Sequence, residues 1–258
     1  FSFPQAASSA TGFDATSFVA SVALSILAFK GFTTITNSGG EITDPHRNVG
    51  RTIMISIAVC VVVYLLVALA VGANLSIDQI VAAKDYSLAE AASPALGQSG
   101  FYFTVVLAAV ATASGVLASV FAVSRMLAML TDMKMIPHRH FGMSGPVRSH
   151  MLVYTVVLAS LLAVFFDLSR IASLGAFFYL VMDMLVHWGV YRRVRREIGA
   201  NGAILISALV FDAVVLAAFT TMKLASDPMV VLYAAVGIAA VFGFQRVYLS
   251  RWLGEPSD

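Results

Sequence analysis

The sequence predicts an all-α integral membrane protein, and three observations carry that prediction. First, 59% of its 258 residues are hydrophobic and only 12% are charged, where a soluble domain carries about 25% charge. The mean hydropathy is +0.88. Second, the apolar residues fall in uninterrupted runs of the length a spanning helix needs, about 20 residues for a hydrocarbon core of about 30 Å. Third, loops rich in lysine and arginine alternate with loops poor in them between those runs. The runs are too long for strands, and none shows the period-two alternation of a transmembrane barrel.

Seven spans are predicted: Phe18–Thr36, Ile53–Ala73, Phe101–Leu130, Met151–Phe166, Ile171–Tyr191, Ala203–Met222 and Pro228–Tyr248. The second is the cleanest, rich in Val, Leu and Ile and free of charge. The fourth is short. On one side of the membrane lie Arg47, Arg51, Arg125, Lys134, Arg139, Arg148, Arg192, Arg193, Arg195, Arg196, Arg246 and Arg251, and on the other only Lys84, Arg170 and Lys223. Cytoplasmic loops carry the excess of Lys and Arg. The bias therefore puts the first residues outside and the C-terminus in the cytoplasm. The chain opens on Phe1 with no basic n-region, which reads as a fragment and not as a signal peptide.

The outer stretch Asn74–Gly100 contains two capping-box patterns, Ser76-x-x-Gln79 and Ser87-x-x-Glu90, and predicts short surface helices. Turn chemistry sits in the cytoplasmic loops at Asp44-Pro45, Ile136-Pro137 and Gly145-Pro146. The single cysteine, Cys60, lies in an apolar run, so one chain has neither a disulfide framework nor a cysteine metal site. The net charge of +2 gives no footing for a nucleic-acid partner. No metal site and no cofactor is expected.

The first span is unlike the others. Ala28-Phe29-Lys30-Gly31-Phe32 is followed by Thr33, Thr34, Thr36 and Asn37, so a lysine, a glycine and a polar run interrupt an apolar helix. Lys30 is roughly 18 Å beyond Phe18 at 1.5 Å per residue. A charge at that depth costs about 2.5–3.5 kcal/mol on insertion scales and normally faces a cavity or a partner. Gly31 lowers helix propensity by about 1 kcal/mol relative to Ala. Two readings follow. The helix breaks at mid-membrane beside a polar cavity, as substrate-binding helices of transporters do, or it continues, with Lys30 stretched toward cytoplasmic water.

Downstream, Gly40-Glu41-Ile42-Thr43-Asp44-Pro45-His46-Arg47-Asn48-Val49-Gly50-Arg51 resembles the loop after transmembrane helix 6 of the amino acid/polyamine/organocation (APC) superfamily. There an aromatic-x-Gly-Phe break precedes a Glu and an Asn/Asp-Pro-x-Arg/Lys-Asn stretch. Ser124-Arg125-Met126-Leu127, followed by Asp132 and Ile136-Pro137, is similar to the family's ending of helix 8. The resemblance implies a LeuT-like fold in which the seven spans correspond to family helices 6–12. Residues 1–17 would be an extracellular segment and 18–191 the second five-helix inverted repeat. Residues 192–248 would form two further helices and 249–258 a cytoplasmic tail. The first repeat would be supplied by missing N-terminal helices of the same protein.

By the same resemblance the unwound part of helix 6 contacts substrate, which maps to Leu27, Ala28, Phe29, Lys30, Gly31, Phe32 and Thr33. Phe29 or Phe32 could gate the site. Thr33 stands where several members carry an acid, and Lys30 where a neutral residue is frequent. Thr112, Ser114 and Ser119 invite comparison with helix-8 sodium ligands of some relatives, but Ala108, Ala111, Gly115, Ala118 and Ala122 also make a small-residue packing face.

Two acids lie within spans. Asp183 has His187 one turn later on the same face, a spacing that suits a proton relay or a plain interhelical pair. Lys30, Asp183 and His187 are thus the coupling candidates. Asp212, outside the repeat core, is expected to serve packing or assembly. Glu41, Asp44, Arg47 and Arg51 are candidates for an inner gate, or for a charged loop that fixes the next helix. Arg192, Arg193, Arg195 and Arg196 anchor topology and can meet anionic lipid headgroups.

The expected function is secondary active transport of amino acids or related organic amines across the plasma membrane by alternating access. Its partners would be that substrate and membrane lipids. The alternative is a seven-helix receptor or another non-transport membrane protein, although a retinal protein would need a lysine in its last span, and Pro228–Tyr248 has none. No HExxH or GxSxG motif supports an enzyme.

Overall fold

The computed structural model describes residues 15–29, 31, 35–36, 42–83, 86–136 and 145–252. Every regular element among them is helical: α1 (Ala15–Ala28), α2 (Pro45–Asn74), α3 (Ile77–Ala83), α4 (Ser87–Asp132), α5 (Val147–Phe165), α6 (Leu168–Gly189), α7 (Gly202–Ser226) and α8 (Pro228–Trp252). Six of these are long and apolar enough to cross a membrane; α1, with 14 residues, is shorter. The expected first span, Phe18–Thr36, is therefore corrected to a helix that stops at Ala28. At 1.5 Å per residue α1 is roughly 21 Å long, short of the hydrocarbon thickness.

The chain divides into two compact parts, residues 1–13 with 31–126, and 14–30 with 127–258. In the first, α2 begins at Pro45, where the fixed proline φ suits the first helical turn. Asp44 precedes it in the left-handed region (φ 50°), its carbonyl accepting from the Arg47 and Asn48 N–H groups. Asn48 donates back to the Thr43 carbonyl at 2.6 Å. Among the described residues, none of the most apolar stretch of α2 is buried. A helix apolar all round needs lipid or further helices on every face.

The segment after α2 folds as its capping chemistry predicts. The Ser76 N–H donates to Gln79 Oε1 at 2.8 Å and the Gln79 N–H to Ser76 Oγ at 3.3 Å, closing a reciprocal box at the start of α3. The second pattern coincides with the start of α4 at Ser87. That helix begins well before the expected Phe101 and is interrupted at Gly97, whose φ of 64° and ψ of −159° are non-helical. Only glycine occupies that region at little cost. Pro94 three residues earlier removes a further helical hydrogen bond. Residues 87–96 are thus a surface helix, and the membrane-crossing part follows the break.

In the second part α1, α6, α7 and α8 pack together around one apolar core. Ala20 and Ala23 on α1, Ala176 on α6 and Ala234 on α8 are small enough for close helix approach. Phe177, Leu180, Val215, Phe219 and Val230 fill the space between. The Phe177 and Phe219 rings lie 4.9 Å apart at 48°. Caps define the turns: Asp167 accepts from the Arg170 N–H at 3.0 Å, and Asn201 accepts from the Ala203 N–H at 2.9 Å. At its C-terminal end α6 runs into one π-helical turn, Val190–Val194. There Arg192 sits 5.5 Å from the Trp188 ring and Arg195 5.3 Å from Tyr191, an arginine–aromatic belt at the membrane interface.

At the opposite end a single residue, Asp227, joins α7 to α8. It accepts from Arg170 Nε at 2.8 Å and so ties that corner to the start of α6. This hydrogen bond holds the Asp227 carboxyl below its ordinary range. A carboxylate depressed in the folded state stabilises it above the unfolded value of about 3.9, and loses that contribution as pH falls through the folded value. Acidification from about pH 5 to about pH 3 is therefore expected to lower the thermal midpoint more in the wild type than in Asp227→Asn. Parallel acid profiles would show that the pair does not contribute.

Candidate functional site

The residues expected to line a substrate site fall at the end of α1. Leu27 is half-buried, and a Cβ built on Gly175 of α6 would lie 3.8 Å from its Cδ1. Ala28 closes the helix, and the Phe29 N–H turns back to the Ile26 carbonyl at 3.1 Å, a tightened last turn. Gly31 has φ 145°, which L side chains rarely adopt. Of the two readings open from sequence, the described residues agree with a break. Lys30, Phe32 and Thr33 lie outside the described residues, as does Glu41 of the gate candidates. Asp44, Arg47 and Arg51 are exposed. Asp44 acts through its backbone at the start of α2, and among the described residues it makes no ion pair with either arginine.

A second cluster is built across α6 and α7. Residues four apart lie on one helix face, so α6 presents Asp183 and His187 side by side, and α7 adds Asp212. His187 Nδ1 is 3.6 Å from Asp183 Oδ2 and 3.3 Å from Asp212 Oδ2. The Asp212 side chain is 8% exposed, those of Asp183 and His187 28% and 26%. Although close enough for an ion pair, His187 Nδ1 and Asp212 Oδ2 are not aligned as a hydrogen bond, and both atoms are buried without such a partner. The ligand atoms of all three side chains lie within 4.8 Å of one another, a nitrogen–oxygen–oxygen set able to hold a cation.

Asp183 and His187 thus pair as the sequence suggested. Asp212, expected only to serve packing or assembly, joins them. The missed signal was the hairpin. Counting from Ile198 in the α6–α7 corner, His187 is eleven residues back, Asp183 fifteen back and Asp212 fourteen forward. Antiparallel helices therefore bring Asp212 level with the other two. At 1.5 Å per residue the cluster lies roughly 8–15 Å from the arginines of the π turn, within the apolar layer.

Comparison with known proteins agrees with this architecture. A family model described as amino acid permease matches residues 1–243. The inner membrane transport protein YbaT of Escherichia coli is 27% identical over 202 residues, covering 78% of this chain and 47% of that protein. An uncharacterized protein of Methanocaldococcus jannaschii is 29% identical over 188 residues, 73% of this chain and 43% of that one. An uncharacterized transporter of Mycobacterium tuberculosis is 27% identical over 241 residues, 91% of this chain and 46% of that one. The chain spans about half the length of these relatives. With an all-helical, multi-pass fold and a family match across nearly its whole length, the chain belongs to the amino acid permease family of the APC superfamily.

Proposed function

We propose that this chain forms one wall of the pathway of a secondary transporter for amino acids or related organic amines. The reading rests on family membership together with one observation: α1 ends at Ala28, and the backbone turns through Gly31 at positive φ. A helix stopping inside the membrane leaves peptide groups free to meet a polar substrate, provided a cavity lies beside them. Leu27, Ala28, Phe29, Lys30, Gly31, Phe32 and Thr33 are the proposed substrate-binding segment. Lys30, Asp183 and His187 are the ionisable side chains through which an ion gradient would act. Glu41, Asp44, Arg47 and Arg51 would guard the inner mouth.

In this reading residues 18–191 are the second inverted repeat and the helices after residue 191 flank it. The first repeat belongs to preceding helices of the same protein. The protein sits in the plasma membrane with its C-terminus in the cytoplasm, an orientation that the Lys and Arg bias supports, and moves solute without chemical conversion. The test is Lys30→Met in the full-length transporter, with radiolabelled uptake into proteoliposomes. Uptake is expected to fall by at least about tenfold, or about 1.4 kcal/mol, with normal insertion. Unchanged uptake would remove Lys30 from the mechanism.

A further inference from the structure

We propose that Asp183, His187 and Asp212 form an intramembrane site for one divalent transition-metal ion, of the zinc class, held between α6 and α7. Geometry is the first ground. A tetrahedral ion with bonds of about 2.0–2.2 Å holds its ligand atoms about 3.3–3.6 Å apart. The distances from His187 Nδ1 to the two carboxylate oxygens are 3.3 and 3.6 Å, and all three ligand atoms lie within 4.8 Å of one another. His187 Nδ1 and Asp212 Oδ2 face each other at that separation without a hydrogen bond, although both are buried and Asp212 is more than nine-tenths enclosed. Buried polar atoms are otherwise nearly always paired. A shared ion satisfies both.

Charge is the second ground. Two ionised carboxylates in the apolar layer are costly without a counter-charge. Among the described residues their only ion-pair partner is His187. A divalent ion with a neutral imidazole brings the cluster to neutrality. The donor set selects the kind of ion. Calcium and magnesium take oxygen ligands in sixfold or higher coordination, whereas imidazole suits zinc and its neighbours. Three protein ligands leave a fourth position for water.

An ion bound there would clamp α6 to α7 and take Asp183 and His187 out of proton exchange. The site stands on side-chain geometry and charge and does not depend on what the protein transports. The test uses the purified protein in detergent micelles, tag removed and stripped with a chelator. It is titrated with Co²⁺ alone by visible absorption and with Zn²⁺ alone by calorimetry. One equivalent is expected to bind, with the visible absorption of tetrahedral cobalt and a raised thermal midpoint. His187→Ala, Asp183→Asn and Asp212→Asn should each weaken binding by at least about tenfold, while Asp78→Asn on α3 should not. Helical circular dichroism checks that each variant is folded. Should Asp212→Asn fail to fold, the two partly exposed positions decide the result. Absence of stoichiometric uptake by the wild type would overturn the proposal and leave protons as the cluster's counter-charge. Binding that survives all three substitutions would equally overturn it.

Discussion

Replacing Gly31 by valine in the full-length transporter is expected to abolish uptake while leaving the protein inserted in the membrane. At φ 145° the backbone occupies a region that a β-branched side chain enters only with strain. Such strain costs about 1–3 kcal/mol at one position. The chain would shed it by rotating toward helical or extended geometry, and the turn after Ala28 would be lost. Around Gly31 there is open space, with nothing within 4 Å of a Cβ built there. The penalty is therefore conformational and not steric. Gly31→Ala should share most of it, since any Cβ carries the same backbone preference. Uptake and membrane insertion are measured together. Wild-type uptake in Gly31→Val would mean that the turn has no part in transport.

The largest loss of stability is expected from Phe219→Ala. Phe219 is fully enclosed between α6 and α7, with Phe177 against its ring and Lys223 Nζ 5.7 Å from the ring centroid. Truncation of a core phenylalanine costs about 3–5 kcal/mol in soluble proteins. Within a membrane the transfer part of that cost shrinks, because lipid is as apolar as the core, and lost packing carries what remains. A cost of about 3 kcal/mol follows, the low end of the soluble range. Leu65→Ala on α2 is the contrast. Its side chain is 59% exposed among the helices of this chain, so truncation there should change the unfolding midpoint in detergent little. Equal effects at the two positions would refute the core assignment.

Much of the fold was legible in the sequence because a bilayer demands long apolar runs of the length a spanning helix needs. The Ser76–Gln79 box was equally legible, since local chemistry decides it. The start of α2 at Pro45 was not, because Asp44-Pro45 read as a loop turn and the span was expected to begin at Ile53. Helix ends set by backbone conformation were harder. Gly97 interrupts α4 through a φ/ψ pair that composition does not reveal, so the helix was expected to begin at Phe101. The end of α1 at Ala28 was one of two open readings, because Lys30 and Gly31 suit either a break or a snorkelling helix. Asp212 shows the other limit. Its meaning lies in its level on an antiparallel hairpin, a tertiary property invisible to one-helix periodicity.

The central claim, that this chain is one wall of an amino-acid pathway completed by other helices, is tested most directly by comparing two proteins in liposomes. One is the full-length transporter and the other is residues 1–258 alone, each supplied with labelled cationic, neutral and acidic amino acids and a polyamine. The account predicts saturable uptake of at least one solute by the full-length protein and none by residues 1–258. Coupled uptake by residues 1–258 alone, or no uptake of any solute by the full-length protein, would contradict it.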